Sequence, residues 1–172
     1  DVLIRAVMSA LLTSHGLRSD VEVILHLQGG PGPNRRLKFV GSELKGFHAE
    51  ERSVAGLIAK AIREPMPAIG QWVQRTPGLY DGGGQFTQTL KEWSDSVLVR
   101  LDADGERLWK ENSTIPQKSA SNHPSIAFVL SDDQPLDTED GLARSIGSTW
   151  LQGHHAIAIC HFLLDEGVQL NL

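Results

Sequence analysis

Residues 126–165 read IAFVLSDDQPLDTEDGLARSIGSTWLQGHHAIAICHFLLD. The first five are all apolar, which is typical of a parallel strand covered on both faces. Small polar residues follow at once, and residues 145–153 form a glycine-bearing loop. Residues 154–165 predict a final helix that is apolar nearly all round. This order predicts an α/β fold, with a ligand site beyond the carboxyl end of the strand, where open parallel sheets bind ligands.

The rest of the chain predicts alternating elements, which we assign from apolar periodicity and from turn residues. The predicted helices cover residues 2–14 (with Gly16 as C-cap), 49–63, 86–93 and a brief segment 138–144 capped by Asp137 or Thr138. The predicted strands are residues 21–27, 36–40, a short one at Trp72 and Val73, and 97–101. The predicted turns and loops are residues 29–34, 81–84, 102–105 and 113–123. Together they predict one domain, residues 1–172, with a largely parallel sheet flanked by helices.

Composition narrows the class of protein. The chain has 172 residues, of which 40% are hydrophobic and 22% charged, as in ordinary globular domains. No apolar run approaches the roughly 18 residues of a membrane span, so we expect no membrane partner. A lone cysteine, Cys160, fits a reducing compartment, and we expect a cytoplasmic protein. The net charge of −5 counts against nucleic-acid binding unless a local basic patch serves it.

Several motif hypotheses fail on spacing. Residues 102–105 begin like a calcium loop, but the glycine is fourth and not sixth, which favours a simple turn. His154, His155, Cys160 and His161 form the densest set of potential metal ligands, yet no second cluster completes a zinc site, so we expect no metal. The glycine-rich runs match neither a dinucleotide fingerprint nor a P-loop, and no G-x-S-x-G is present.

The loop at residues 145–153 is the best candidate for a ligand pocket on residue chemistry. Its backbone amides could bracket a planar base, while Ile146 and Leu151 supply apolar walls. An ordinary connecting loop of an α/β domain is the competing interpretation.

Residues 128–167, FVLSDDQPLDTEDGLARSIGSTWLQGHHAIAICHFLLDEG, resemble the TrmY family, which is known in archaea for N1-methylation of a pseudouridine in the tRNA T-loop. Three earlier segments resemble the family as well: SALLTSHGLRSDVEV (9–23), GSELKGFHAEERSVAGLIAKAI (41–62) and TPGLY (76–80). The resemblance therefore covers most of the chain.

The resemblance implies a SPOUT fold, in which residues 97–172 form a C-terminal trefoil knot that binds S-adenosylmethionine. It also implies a homodimer through the knot helices, an RNA partner that would be tRNA, and an additional strand before the first helix, absent from this chain. The implied activity is that of an S-adenosylmethionine-dependent RNA methyltransferase.

The resemblance also implies which residues hold the cofactor. They lie on three loops and one helix: Leu101, Leu130, Ser131, Ile146, Gly147, Ser148, Trp150, Leu151 and Cys160. Ser148 stands where the family's loop usually has proline, and Ala156 follows His155 where many members have cysteine. Cys160 therefore either lies near the pocket or packs in the core.

N1 of a pseudouridine carries a proton that must leave, and a carboxylate could accept it. The candidates are Asp132, Asp20 and Asp1, while Arg18, Arg5 and Arg75 could hold phosphate or base. We take Asp132, Asp20 and Arg18 as the catalytic prediction. Two other functions stay open: a knotted cofactor-binding protein without RNA methylation, and a methyltransferase for another base or RNA.

Overall fold

The structure, a computed structural model, describes residues 1–110, 124–131, 135–136 and 138–172. The chain divides into two compact units, Asp1–Glu92 and Trp93–Leu172. The second unit contains the whole of the predicted cofactor-binding part, residues 97–172. Treatment of the chain as one domain stays a prediction. None of the described helices is long and apolar enough to cross a membrane.

The first unit is built on a four-stranded sheet. Its elements in chain order are α1 (Val2–Leu11), β1 (Leu12–Thr13), β2 (Gly16–Leu17), β3 (Glu22–Leu27), β4 (Arg35–Val40), α2 (Glu51–Arg63), β5 (Trp72–Thr76), β6 (Leu79–Gly83) and α3 (Phe86–Glu92). The strand order is β3-β4-β6-β5, and every neighbouring pair is antiparallel. The prediction of a largely parallel sheet is wrong for this unit, because β3 and β4, and likewise β5 and β6, are joined by turns too short for a parallel crossover.

The periodic segments of this unit fold as predicted. Strand 21–27 and its return at 36–40 are confirmed as β3 and β4, and helices 49–63 and 86–93 as α2 and α3. Leu37 and Phe39 on β4 are fully buried, as is Val54 on α2. The apolar positions at strand and helix spacing therefore share one core.

The first helix ends earlier than predicted. It stops at Leu11, and Leu12 already has extended backbone angles. Strands β1 and β2 then form a small antiparallel hairpin, in which the Thr13 hydroxyl donates to the Gly16 carbonyl at 3.1 Å. Gly16 is thus a strand residue and not a helix cap. Gly16 pairs with Thr13 and Leu17 with Leu12, and this pairing competes with continuation of the helix.

Residues 81–84 are not the predicted turn. Asp81, Gly82 and Gly83 belong to β6, the strand between β4 and β5. A Cβ on Gly82 would lie 2.8 Å from the Trp72 ring. The Trp72 indole lies against the strand at Gly82, and only a residue without a side chain fits there.

Gly41 meets a second close approach, and we predict its effect on stability. It lies so near the Arg18 carbonyl that an added Cβ would overlap that oxygen. We expect Gly41→Ala to lower the free energy of unfolding by about 1 to 3 kcal/mol in urea titrations, as overpacking does. Gly56 on α2 has open space around it, so Gly56→Ala should raise stability by about 0.5 to 1 kcal/mol. Equal effects of the two changes would contradict this prediction.

His26 on β3 gives a pH-dependent prediction. Burial, with a smaller contribution from the Arg36 guanidinium, lowers the pKa of His26 from 6.5 to about 4. Between pH 6.5 and pH 4, His26 is protonated in the unfolded chain and neutral in the folded chain. The free energy of unfolding is therefore highest above pH 6.5 and decreases as the pH drops toward 4. We expect a loss of about 2 to 3 kcal/mol over that window. His26→Gln should flatten the profile, whereas His48→Gln, at an exposed position, should leave it unchanged.

In the part of the chain that the structure describes, the second unit has three parallel strands and one long helix. Its elements are β7 (Val97–Arg107), β8 (Ile126–Val129), β9 (Leu142–Ser145) and α4 (Gly153–Asp165). The strand order is β8-β7-β9, with both pairings parallel. The parallel sheet, the strand at 126–130 and the final helix are therefore confirmed. Val99 on β7 is fully buried in a core that includes Leu108, Cys160 and Leu163.

Two local predictions for this unit are wrong. Strand β7 does not close at Leu101: it continues to Arg107, and residues 102–105 bulge out of its pairing with β9. The Asp102 carboxylate accepts hydrogen bonds from the Arg100 guanidinium and from the Asp104 backbone N–H. The predicted brief helix to Arg144 is instead β9, since these residues pair with β7. The loop predicted at 113–123 and the cap residue Asp137 lie outside the described residues.

Candidate functional site

The carboxyl ends of three parallel strands meet at one edge of the second unit. Residues 102–105 follow the first part of β7, Leu130 and Ser131 follow β8, and residues 146–152 follow β9. A Cβ on Gly153 would lie 3.3 Å from Cδ1 of Leu130, so the loop after β8 contacts the start of α4. These are the segments predicted to hold the cofactor, and this is the edge at which open sheets bind ligands.

The third loop is fixed at its root by a buried serine. Ser145 is 8% exposed, and its hydroxyl accepts a hydrogen bond from the Gly147 N–H at 3.1 Å and donates to the Gly147 carbonyl at 3.0 Å. Leu108 N–H donates to the Ser145 carbonyl at 2.9 Å. Gly147 has φ +151°, and the space that a side chain would take there is open. The loop therefore holds a defined backbone beside an open space.

The predicted cofactor residues divide by exposure. Leu101 and Ile146 are half-buried and pack against the core of the unit, and Leu130 is half-buried as well. Ser131 and Ser148 are exposed, Leu151 is 41% exposed and Trp150 is 84% exposed. The structure thus brings apolar side chains to the edge from all three strands, while Trp150 faces solvent.

Cys160 lies in the core and not on an open surface. It is 4% exposed, and burial raises the pKa of its thiol to about 12, so the thiol stays protonated at neutral pH. The surroundings of Cys160 are those of a core residue, as the second interpretation of this cysteine expects. Its contact with a cofactor stays a prediction. Among the described residues no group of three or more His, Cys, Asp or Glu could hold a metal ion.

The catalytic candidates lie apart in the sequence and in different units. Asp132 is outside the described residues. Asp20 is exposed in the turn after β2, and Arg18 is half-buried, with its backbone N–H donating to the Leu11 carbonyl at 2.8 Å. Asp1 is exposed, and Arg5 forms an exposed ion pair with Glu51 at 3.1 Å.

Arg75 has a structural partner that the sequence did not reveal. Its guanidinium contacts the fully buried Asp81 at 2.7 and 3.0 Å. A contact of Arg75 with phosphate or base stays a prediction. Arg35 binds the same carboxylate at 2.6 and 2.8 Å and also donates to the carbonyls of Ala61 and Ile62 at the end of α2. Sequence reasoning missed this cluster because Asp81 looked like a turn residue.

A parallel sheet followed by a helix places the second unit in the broad class of α/β folds, whose open sheets bind ligands at the carboxyl edge. The particular family follows from the sequence as a whole. The chain belongs to a family described as SAM-dependent RNA methyltransferases, whose family model matches residues 1–168. The resemblance to the TrmY family is thereby confirmed.

Three curated relatives carry the same name, tRNA (pseudouridine(54)-N(1))-methyltransferase. The protein of Methanococcus aeolicus is 33% identical over 96% of this chain and 84% of its own length. Those of Thermococcus gammatolerans and Haloferax volcanii are 34% and 35% identical, again over 96% of this chain, and over 83% and 82% of their own lengths. The similarity therefore includes both units.

Proposed function

We propose that this protein transfers a methyl group from S-adenosylmethionine to N1 of a pseudouridine in tRNA. The observation that carries the proposal is the alignment of nearly the whole chain with proteins named for this reaction. The geometry supports it, because the loop from Ser145 and the start of α4 lie at the carboxyl edge of a parallel sheet, where open sheets bind ligands.

The residues of that edge fit S-adenosylmethionine in chemistry. Adenine needs apolar walls and backbone hydrogen-bonding groups, and the half-buried Leu101, Leu130 and Ile146 supply the walls. The backbone at Gly147 is flanked by open space, which leaves room for a planar base. We assign the remaining predicted residues, Ser131, Ser148, Trp150 and Leu151, to the rim of the site, where the first two present hydroxyls.

Bound S-adenosylmethionine supplies an electrophilic methyl group on its sulfonium sulfur. The chain would position the target base for the transfer, since positioning contributes much of the rate of such reactions. As the methyl carbon bonds to N1, its bond to sulfur would break and S-adenosylhomocysteine would leave. The N1 proton would pass to a carboxylate, which we assign to Asp132 or Asp20. Arg18 would hold the base or an adjoining phosphate.

The proposal includes a homodimer and a trefoil knot, as in the SPOUT class. One face of α4 is buried through Ala156, Cys160 and Leu163, while Phe162 on another face is 55% exposed. An exposed aromatic ring on this helix supports a partner there. We extend the proposal to a cytoplasmic location and to a reaction without a metal.

The proposal is tested by transfer of label from methyl-tritiated S-adenosylmethionine to two tRNA transcripts that differ only in whether uridine has been converted to pseudouridine. We expect label in the pseudouridine transcript alone. Label in both transcripts would indicate another base. Cofactor binding with no transfer to either would favour the alternative of a knotted cofactor-binding protein, which the net charge of −5 makes the natural competitor.

A further inference from the structure

Arg107 is the last residue of β7, and Trp109 follows two positions later on the same side of the chain. The guanidinium carbon of Arg107 lies 4.8 Å from the centroid of the Trp109 ring, which is cation–π distance. Leu108 between them points to the opposite side and is fully buried. Arg107 and the adjacent Lys110 are exposed, and Trp109 is half-buried. We call these three residues the Arg107–Lys110 patch.

The backbone of the patch is fixed on both sides. Leu108 N–H donates to the Ser145 carbonyl at 2.9 Å, and the Leu108 carbonyl accepts from Asn171 N–H at 2.8 Å. The Asn171 side chain donates to the Arg107 carbonyl at 2.8 Å. Ser145 is also the residue from which the third loop begins. The patch is therefore preorganised, and it adjoins the candidate cofactor site.

The structure shows which charges of the second unit are paired within its described residues. Acidic side chains outnumber basic ones in the described part of this unit, and its other two arginines are engaged. Arg100 pairs with Asp102 at 2.9 Å. Arg144 pairs with Glu106 at 3.6 Å and donates to the Asn171 carbonyl at 2.7 Å. Arg107 and Lys110, by contrast, have no ion pair among the described residues.

An enzyme that acts on a base must take it out of the stack, and neighbouring bases then need a surface on which to rest. Adjacent cations bind the phosphates between those bases. We infer that the Arg107–Lys110 patch binds the RNA strand next to the target nucleotide, with Arg107 and Lys110 on phosphates. The Trp109 ring, which packs against the core of the unit, holds the Arg107 guanidinium in place. The inference rests on the proposed function and supplies the local basic surface that an acidic chain needs.

The test is the affinity for a pseudouridine-containing tRNA transcript, measured by fluorescence anisotropy over a series of salt concentrations. We expect the double variant Arg107→Gln/Lys110→Gln to bind about tenfold more weakly at 0.15 M salt, with the salt slope reduced by about 1.5. Trp109→Leu should weaken binding about threefold while changing the slope little, because it releases the Arg107 guanidinium without removing its charge. The charge-matched control Lys60→Gln/Lys91→Gln, at exposed positions of the first unit, should keep the wild-type affinity.

Titration of the same variants with S-adenosylmethionine checks that the cofactor site is intact, and the expected dissociation constant is that of the wild type. Wild-type affinity and slope in the Arg107→Gln/Lys110→Gln variant, on a tRNA that the wild type binds and methylates, would overturn the patch and leave the proposed function standing. Equal losses in the double variant and its control would also overturn it. Absence of methyl transfer by the wild type would instead be the failure of the proposed function.

Discussion

Gly147→Trp is expected to abolish binding of S-adenosylmethionine. The dissociation constant should be at least about 100-fold weaker than that of the wild type, which corresponds to a loss of about 3 kcal/mol or more in binding free energy. The indole would fill the open space beside the third loop, and the positive φ of Gly147 disfavours any side chain there. Calorimetric titration of both proteins checks the prediction. The wild type should show saturable binding near one site per chain, and the variant should show no heat.

Gly29→Trp is the matched control, because Gly29 is an exposed loop residue of the first unit with open space around it. It should bind the cofactor as the wild type does. Thermal unfolding of both variants shows whether lost binding reflects a lost fold. At Gly29 and at Gly147, no protein atom lies within 4 Å of the position that an added Cβ would take. Wild-type affinity in Gly147→Trp would remove the third loop from the cofactor site.

Asp81→Asn is expected to lower the free energy of unfolding by about 3 to 5 kcal/mol, which is the usual cost of breaking a buried ion pair by removal of one partner. Asp81 is fully buried between Arg35 and Arg75, with four contacts of 2.6 to 3.0 Å. The amide keeps the shape of the carboxylate but leaves two guanidinium groups without their anion. A domain with a total stability of about 5 to 15 kcal/mol would be strongly affected.

Urea titration measures this loss, and Glu51→Gln provides the control. Glu51 pairs with Arg5 where both side chains are about half exposed, at 51% and 45%, so its removal should change stability by less than about 1 kcal/mol. If Asp81→Asn lost no more than Glu51→Gln, the buried cluster would not be a stabilising feature of the first unit.

Sequence alone predicted the elements whose signal is local. Strands β3, β4 and β8 and helices α2 and α4 each carry their own apolar periodicity, and the structure has all of them within one or two residues of the predicted bounds. Strand β6 was missed because two glycines in a row indicate a turn, whereas pairing with β4 and β5 makes them a strand. Strand β9 was missed because only its partner β7 explains why so short a segment is extended.

The candidate site was predicted only where its signal in the sequence is local. The loop 145–153 was recognisable from its glycines and its position before a helix, and the structure places it after β9 at the carboxyl edge of the sheet. The ion pair of Arg35 with Asp81 joins residues that are 46 apart in the chain, and no local pattern announces such a contact. The continuation of β7 to Arg107, and with it the Arg107–Lys110 patch, depends on pairing with β9 and with the C-terminal residues.

The most direct test of the central claim is identification of the methylated nucleoside. A pseudouridine-containing tRNA transcript is incubated with the protein and S-adenosylmethionine, digested to nucleosides, and analysed by mass spectrometry beside authentic 1-methylpseudouridine. We predict a product that matches this standard in mass, fragmentation and retention, and that is absent without the cofactor. A methyl group on any other nucleoside, or no methylated nucleoside at all, would contradict the account.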